Sequence, residues 1–198
     1  LAVSVTRVLE GFAIAAATGL LLGVGIGLSR RLDHATDLLI QLVKPIPPIA
    51  WIPLAILWFG IGEGGKVFII FLGAVFPILV NTIDGIRQTD HRFVELARIL
   101  EVSRTRFVTH VVLPGALPAI MTGLRVGLMV AWMCVVAAEL IAASSGVGYL
   151  IMDARQLSQT DQVLVGMITI GAMGKLLDLL LKEVERHLIT WKPTFAGQ

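Results

Sequence analysis

Apolar residues run through this chain in long blocks separated by short polar ones. The blocks at about 6–28, 36–59, 66–83, 114–142 and 161–181 approach or exceed the ~20 residues that an α-helix needs to cross the ~30 Å apolar core of a bilayer. The pattern predicts an all-α integral membrane protein, with residues 1–198 as a single transmembrane domain of five spans. Between the third and fourth blocks, residues 84–113 form an amphipathic island. Phe93, Leu96, Ala97 and Leu100 recur there at helical spacing, as do Phe107, Val108, Val111 and Val112, while Arg92, Glu95, Arg98, Arg104 and Arg106 fall on other faces. The island reads as two short helices with Asp90 and Ser103 as N-caps. Isolated helices of this length are marginal in water, so a lipid surface or a partner has to hold them.

Within the second block, Pro45, Pro47, Pro48 and Pro53 follow or flank Lys44. Proline removes a backbone donor and clashes with the preceding turn, so this span should be kinked or locally unwound. Residues 60–65, rich in glycine, read as a turn. Small residues recur every fourth position at Gly11, Ala15, Gly19, Gly23 and Gly27, and again at Gly115, Ala119, Gly123, Gly127 and Ala131. That step keeps them on one helix face, where a neighbouring backbone can approach closely.

Charge sets the orientation. Arg30, Arg31, Arg87, Arg92, Arg98, Arg104, Arg106, Lys182, Arg186 and Lys192 fall in loops and a tail on one side of the predicted spans, against Lys66 and Arg155 on the other. The basic side is expected to be cytoplasmic. Five spans with a cytoplasmic C-terminus leave the N-terminus outside, which predicts a sixth span before Leu1.

Composition narrows the function classes. Hydrophobic residues make up 56% of the chain and charged residues 15%, with a mean hydropathy of +0.86; soluble domains carry about 25% charged residues. The net charge of +2 resides in inter-span loops without interleaved aromatics, which argues against nucleic acid as a partner. The single cysteine, Cys134, excludes an intrachain disulfide and a cysteine-based metal cage. His34, His91, His110 and His187 lack metal-ligand spacing, and no Gly-x-x-x-x-Gly-Lys-Ser/Thr phosphate loop occurs, so no enzymatic role and no bound cofactor is expected of this chain. Spans of this kind suit a permease, an ATP-independent channel or a gradient-driven transporter.

Charged residues inside spans face protein or water. Arg125 lies about 16 Å beyond Pro114 along its helix, deep enough to need a partner, through an ion pair to another helix or as part of an anion path. Glu139 lies about 21 Å further, too far to pair with Arg125, and suits a gate or a packing role near the outer surface. Lys175 and Asp178 are spaced to pair on one face. Trp51, Asn81 and Trp132 are further candidates for a pathway lining, with packing as the alternative.

The order Glu95, Ala97, a turn near residue 101, then Val111, Leu113 and Pro114 resembles the cytoplasmic EAA loop of permease subunits of bacterial ABC importers. The stretches 44–53, 58–63, 113–118, 123–125, 138–143, 146–149 and 159–161 resemble the branch that imports aliphatic sulfonates, taurine and nitrate. The resemblance implies a type I importer fold of six spans working as a homodimer in the bacterial inner membrane, with two ATPase subunits and an external binding protein as partners. ATP and magnesium would then belong to the ATPase. Residues 90–111 would form its contact, drawing on Asp90, Arg92, Glu95, Leu96, Ala97, Arg98, Glu101, Ser103, Arg104 and Phe107, with Leu113 and Pro114 setting the angle of re-entry. The family pattern has glycine where this chain has Glu101, which matters if the turn is left-handed.

Overall fold

The computed structural model of the protein describes residues 1–189, including all side chains in that range except those of His91, Arg98 and Ala142; Lys192 of the predicted tail lies outside the described residues. The chain order is α1 (Ala2–Leu28), α2 (Arg30–Val43), a 3-10 turn (Pro48–Trp51), α3 (Ile52–Phe59), α4 (Glu63–Arg87), α5 (His91–Ile99), α6 (Arg104–Phe107), a π turn (Val108–Val112), α7 (Leu113–Ala142), α8 (Val147–Gln156) and α9 (Thr160–Leu188). Four helical stretches, Ala2–Leu28, Glu63–Arg87, Arg104–Ile141 and Thr160–Leu188, are long and apolar enough to cross a membrane.

The second predicted span is not a straight helix. It starts earlier, at Arg30, and breaks at Lys44–Pro47 into two pieces bent by 86°. Pro47 is extended, at φ −58° and ψ 135°, as the residue before a proline must be, and Pro48 and Pro53 open the next helical segments, where a missing N–H costs nothing. The glycine turn is shorter than residues 60–65, because Glu63 already opens α4. Lys66, expected in an outside loop, lies in the first turn of α4, buried and paired with Glu63. Between α7 and α9 the structure adds α8, a helix not expected from the sequence.

α4 is the centre of the bundle, packed between α1 and α7. Both stripes of small residues face it. A Cβ on Gly11 would lie 2.6 Å from Ile70 Cγ2, one on Gly23 2.7 Å from Thr82 Cβ, and one on Gly127 2.9 Å from Ile78 Cγ1. Gly19 and Gly27 oppose Ile78 and Ile86 in the same way, so an eight-residue repeat on α1 meets an eight-residue repeat on α4. Gly115 is the exception in its stripe and faces open space. The buried core follows this seam through Val8, Ala15, Ile70, Ala74, Ile78 and Val135.

Polar contacts fix the two ends. At the end carrying the loop arginines, Arg87 of α4 pairs with Asp33 of α2. At the far end, Arg7 of α1 is only 3% exposed and lies between two carboxylates. Its Nη2 donates to Glu63 Oε1 at 2.7 Å, its Nε also donates to Glu63, and its Nη1 donates to Glu139 Oε1 at 2.7 Å and to the Ser145 carbonyl at 2.9 Å. The Glu139 carboxylate, 1% exposed, also accepts from Ser4 Oγ at 3.0 Å and from the Gly148 amide at 2.9 Å. A carboxylate at the N-terminus of α8 meets the positive end of the helix dipole. Gly146, at φ +122°, leads into this helix, and a Cβ there would overlap the Glu139 carboxyl group. One network thus ties α1, α4, α7 and α8.

Gly25 faces open space whereas Gly23 does not. Gly25→Ala is therefore expected to be neutral or stabilising by up to ~1 kcal/mol, and Gly23→Ala to cost about 1–3 kcal/mol through overpacking; thermal unfolding in detergent should leave the first at or above the parent melting temperature and lower the second. Arg7→Ala strands Glu139 as a buried unpaired charge and is expected to cost about 3–5 kcal/mol. Adding Glu139→Gln to Arg7→Met should recover part of that loss, and melting temperatures that are additive across the two sites would contradict the pairing.

Candidate functional site

The island between α4 and α7 begins with a capped turn. Thr89 Oγ1 donates to the Ile86 carbonyl at 2.8 Å, and Asp90 Oδ1 accepts from the Arg92 amide at 2.9 Å, which makes Asp90 the N-terminal cap expected from the sequence. α5 then presents an apolar ridge that the chain leaves bare. Phe93 is 54% exposed, Leu96 51%, Ile99 77% and Leu100 64%. Arg92 and Glu95 lie exposed on the same helix, Val94 and Ala97 are half-buried, and the side chain of Arg98 lies outside the described residues. Among the described residues α5 is not packed extensively against any span.

α5 ends in a Schellman turn. The Val102 amide donates to the Ala97 carbonyl at 3.0 Å, and Glu101 between them has φ +51°. This is the position where glycine is favoured because a left-handed backbone crowds a Cβ. The expected glycine is therefore replaced by a residue that holds the same conformation at a cost. Val102 and Ala97 line one side of a cavity of about 630 Å³ whose other wall includes Leu28 and Phe107.

The second short helix is not separate. Ser103 has the backbone geometry of an N-cap, at φ −60° and ψ 143°, but its side chain makes no capping bond, so the capping role expected of it is not realised. From Arg104 the helix continues through the π turn into α7 as one stretch to Ile141. Pro114 explains the π turn physically. It has no N–H for the carbonyl of His110, and a widened turn accommodates the missing bond. The 38 residues of Arg104–Ile141 span about 57 Å, well beyond a ~30 Å apolar core. The exposed Arg104 and Arg106 thus project past the bundle, while Phe107 and Leu113 pack on the buried cluster of Ile86, Val112, Ala116 and Ile120 and anchor the projection.

The five intramembrane candidates separate. Trp132 is buried and its Nε1 donates to the Ile170 carbonyl at 3.1 Å, a packing contact between α7 and α9. Glu139 is enclosed by Arg7 and the start of α8, a packing role and not a lining one. Arg125 Nη2 contacts Asp178 Oδ1 at 2.7 Å and Nη1 contacts Glu185 Oε2 at 3.4 Å, an ion pair that joins α7 to α9. Lys175 reaches the same Asp178 only at 3.9 Å. Trp51, in the 3-10 turn, is half-buried against the core. Asn81 is different. Its Nδ2 donates to the Pro77 carbonyl at 2.8 Å, and the residue lines a cavity of about 350 Å³ shared with Lys44, Phe76, Pro77, Val126 and Val130. Arg7 and Lys44 were not singled out from the sequence as site residues, although each is a lone cation in an apolar block, which is the signal that marks them.

The model of the family described as "Binding-protein-dependent transport system inner membrane component" matches residues 15–190. The chain is 46% identical over 191 residues to an ABC transporter permease protein of Methanocaldococcus jannaschii, a match that covers 96% of this chain and 72% of that one. It is 46% identical over 195 residues to SsuC of Escherichia coli, named for aliphatic sulfonates transport, covering 98% and 74%. Further relatives, 34–39% identical, are named for transport of taurine, bicarbonate and nitrate. The solved MetNI methionine ABC transporter, in an inward-facing conformation, superposes with a TM-score of 0.70 at 16% identity, covering 93% of this chain and 94% of that chain. The fold is that of the type I importer transmembrane domain, and the chain belongs to the binding-protein-dependent transport system inner membrane component family, the permeases of ABC importers.

Proposed function

We propose that this chain is the permease subunit of an ATP-driven importer that takes a small anion from an external binding protein into the cytoplasm, an aliphatic sulfonate or taurine first and a nitrate-like anion next. The names of its relatives support that range of substrates, which also includes bicarbonate. Two copies of the permease would enclose the path and two ATPase subunits would bind ATP and magnesium beneath them, with the C-terminus in the cytoplasm. The permease performs no chemistry of its own.

The observation that carries this reading is the bare apolar ridge of α5 at the arginine-bearing end of the bundle. Exposed Leu and Phe at helical spacing, flanked by Arg92 and Glu95, suit insertion into a cleft of an ATPase. Movement of that cleft would be passed along a rigid element, because α6 and α7 are one helix from Arg104 to Ile141. Its far end carries Glu139 and therefore the Arg7 network. A push at one face of the membrane would thus reach the other without a flexible joint, save for the π turn.

Leu96→Asp places a charge on the ridge without touching the core, and is expected to weaken association with the ATPase at least tenfold while leaving the melting temperature of the free permease within a few degrees. Co-purification and ATP-dependent uptake in liposomes check it, and unchanged association would remove α5 as the docking element. Glu101→Gly is expected to stabilise the permease by about 1 kcal/mol by relieving the left-handed backbone with no loss of ATPase association. A loss of association would instead show that the Glu101 carboxylate contacts the ATPase.

A further inference from the structure

Lys44 stands at the break in the second predicted span, the last residue before Pro45. It is exposed, and among the described residues it has no ion-pair partner and no side-chain hydrogen bond. The cavity it lines is bordered by two helices long and apolar enough to cross a membrane. Its walls come from the middle of α4, through Phe76, Pro77 and Asn81, and the middle of α7, through Val126 and Val130. A lysine beside the middle of such helices is costly in hydrocarbon and is tolerated where it faces water or a ligand. The 86° bend follows Lys44, and Ile46 and Pro48 at the break line the same cavity.

Among the described residues the lining has one charge, the Lys44 ammonium, and one neutral polar side chain, Asn81; the rest is apolar and no carboxylate is present. One of the two Asn81 amide hydrogens is committed to the Pro77 carbonyl, which fixes the amide in place and leaves the other free to donate. We infer that Lys44 and Asn81 form the anion-contacting site of the translocation path, and that it takes a monoanion with a small apolar body, such as a short alkanesulfonate. An ammonium group on the ligand would be repelled by Lys44 and would find no carboxylate to offset the repulsion, so the zwitterion taurine is disfavoured relative to ethanesulfonate. This inference rests on the importer reading above.

The test uses the full chain reconstituted with its ATPase and binding protein in nanodiscs and in liposomes. In nanodiscs, ethanesulfonate should slow acylation of Lys44 at least fivefold, read by mass spectrometry, while equal taurine should not; no protection by ethanesulfonate, or equal protection by taurine, overturns the site. In liposomes, Lys44→Gln should lower ethanesulfonate uptake at least tenfold, Asn81→Ala several-fold, and Lys44→Arg should retain most of it. Undiminished uptake by a folded Lys44→Gln protein overturns the site as well. Protection of Lys44 without ATP-coupled uptake would leave the site standing and defeat the importer reading, so the two failures are distinct.

Discussion

The rest of this structure depends on how closely α1 and α7 approach α4. Lipid tails are as apolar as the side chains they would replace, so burial alone gives little reason for helices to associate in a bilayer; close packing and interhelical polar contacts supply it. Here the small residues at every fourth position let α1 lie against Ile70, Ile78, Thr82 and Ile86 of α4, and let α7 lie against its Ala74, Pro77, Ile78 and Asn81. That three-helix unit packs Pro77 and Asn81 of α4 against Gly123 of α7. It also sets the distance over which Arg7 can reach both Glu63 and Glu139.

On this frame the ends do different things. The far end is closed by charge, with each carboxylate and donor in the Arg7 network satisfied and no unpaired buried side-chain polar atom among the described residues. The basic end is left open, with α5 held by a cap, a Schellman turn and little packing of its own. A segment so weakly tied to its own bundle is suited to being held by another protein. Continuity of α6 with α7 links the two ends, and the ion pair of Arg125 with Asp178 and Glu185 fastens that long helix to α9.

Much of this was legible in the sequence for physical reasons. A four-residue step of glycine and alanine has few causes other than close helix contact, and both stripes pack as expected apart from Gly115. The prolines at 45, 47, 48 and 53 announced the break, though not its 86° bend, which depends on what the two halves pack against. The island's first helix and its Asp90 cap were readable from local spacing. Its second helix was not separable from α7, because Pro114 signals a boundary in sequence while a π turn carries the helix across it. α8 escaped notice because its ten residues give a weak periodic signal and its start is secured by Glu139, a partner from another helix. Among the path candidates, residue type alone could not separate Trp132 and Glu139, which are enclosed by packing and an ion pair, from Arg125 and Asn81, which border cavities, Arg125 with an ion pair and Asn81 without one.

The central claim is that this bundle couples nucleotide hydrolysis by a partner to movement of an anion. The most direct measurement is ATP hydrolysis by the reconstituted complex in liposomes, with the binding protein empty or loaded with a short alkanesulfonate. The account predicts that a loaded binding protein raises hydrolysis several-fold and that anion enters the lumen in step with it. Hydrolysis indifferent to the loaded binding protein, with anion crossing in the absence of ATP, would contradict it and leave a gradient-driven carrier in its place.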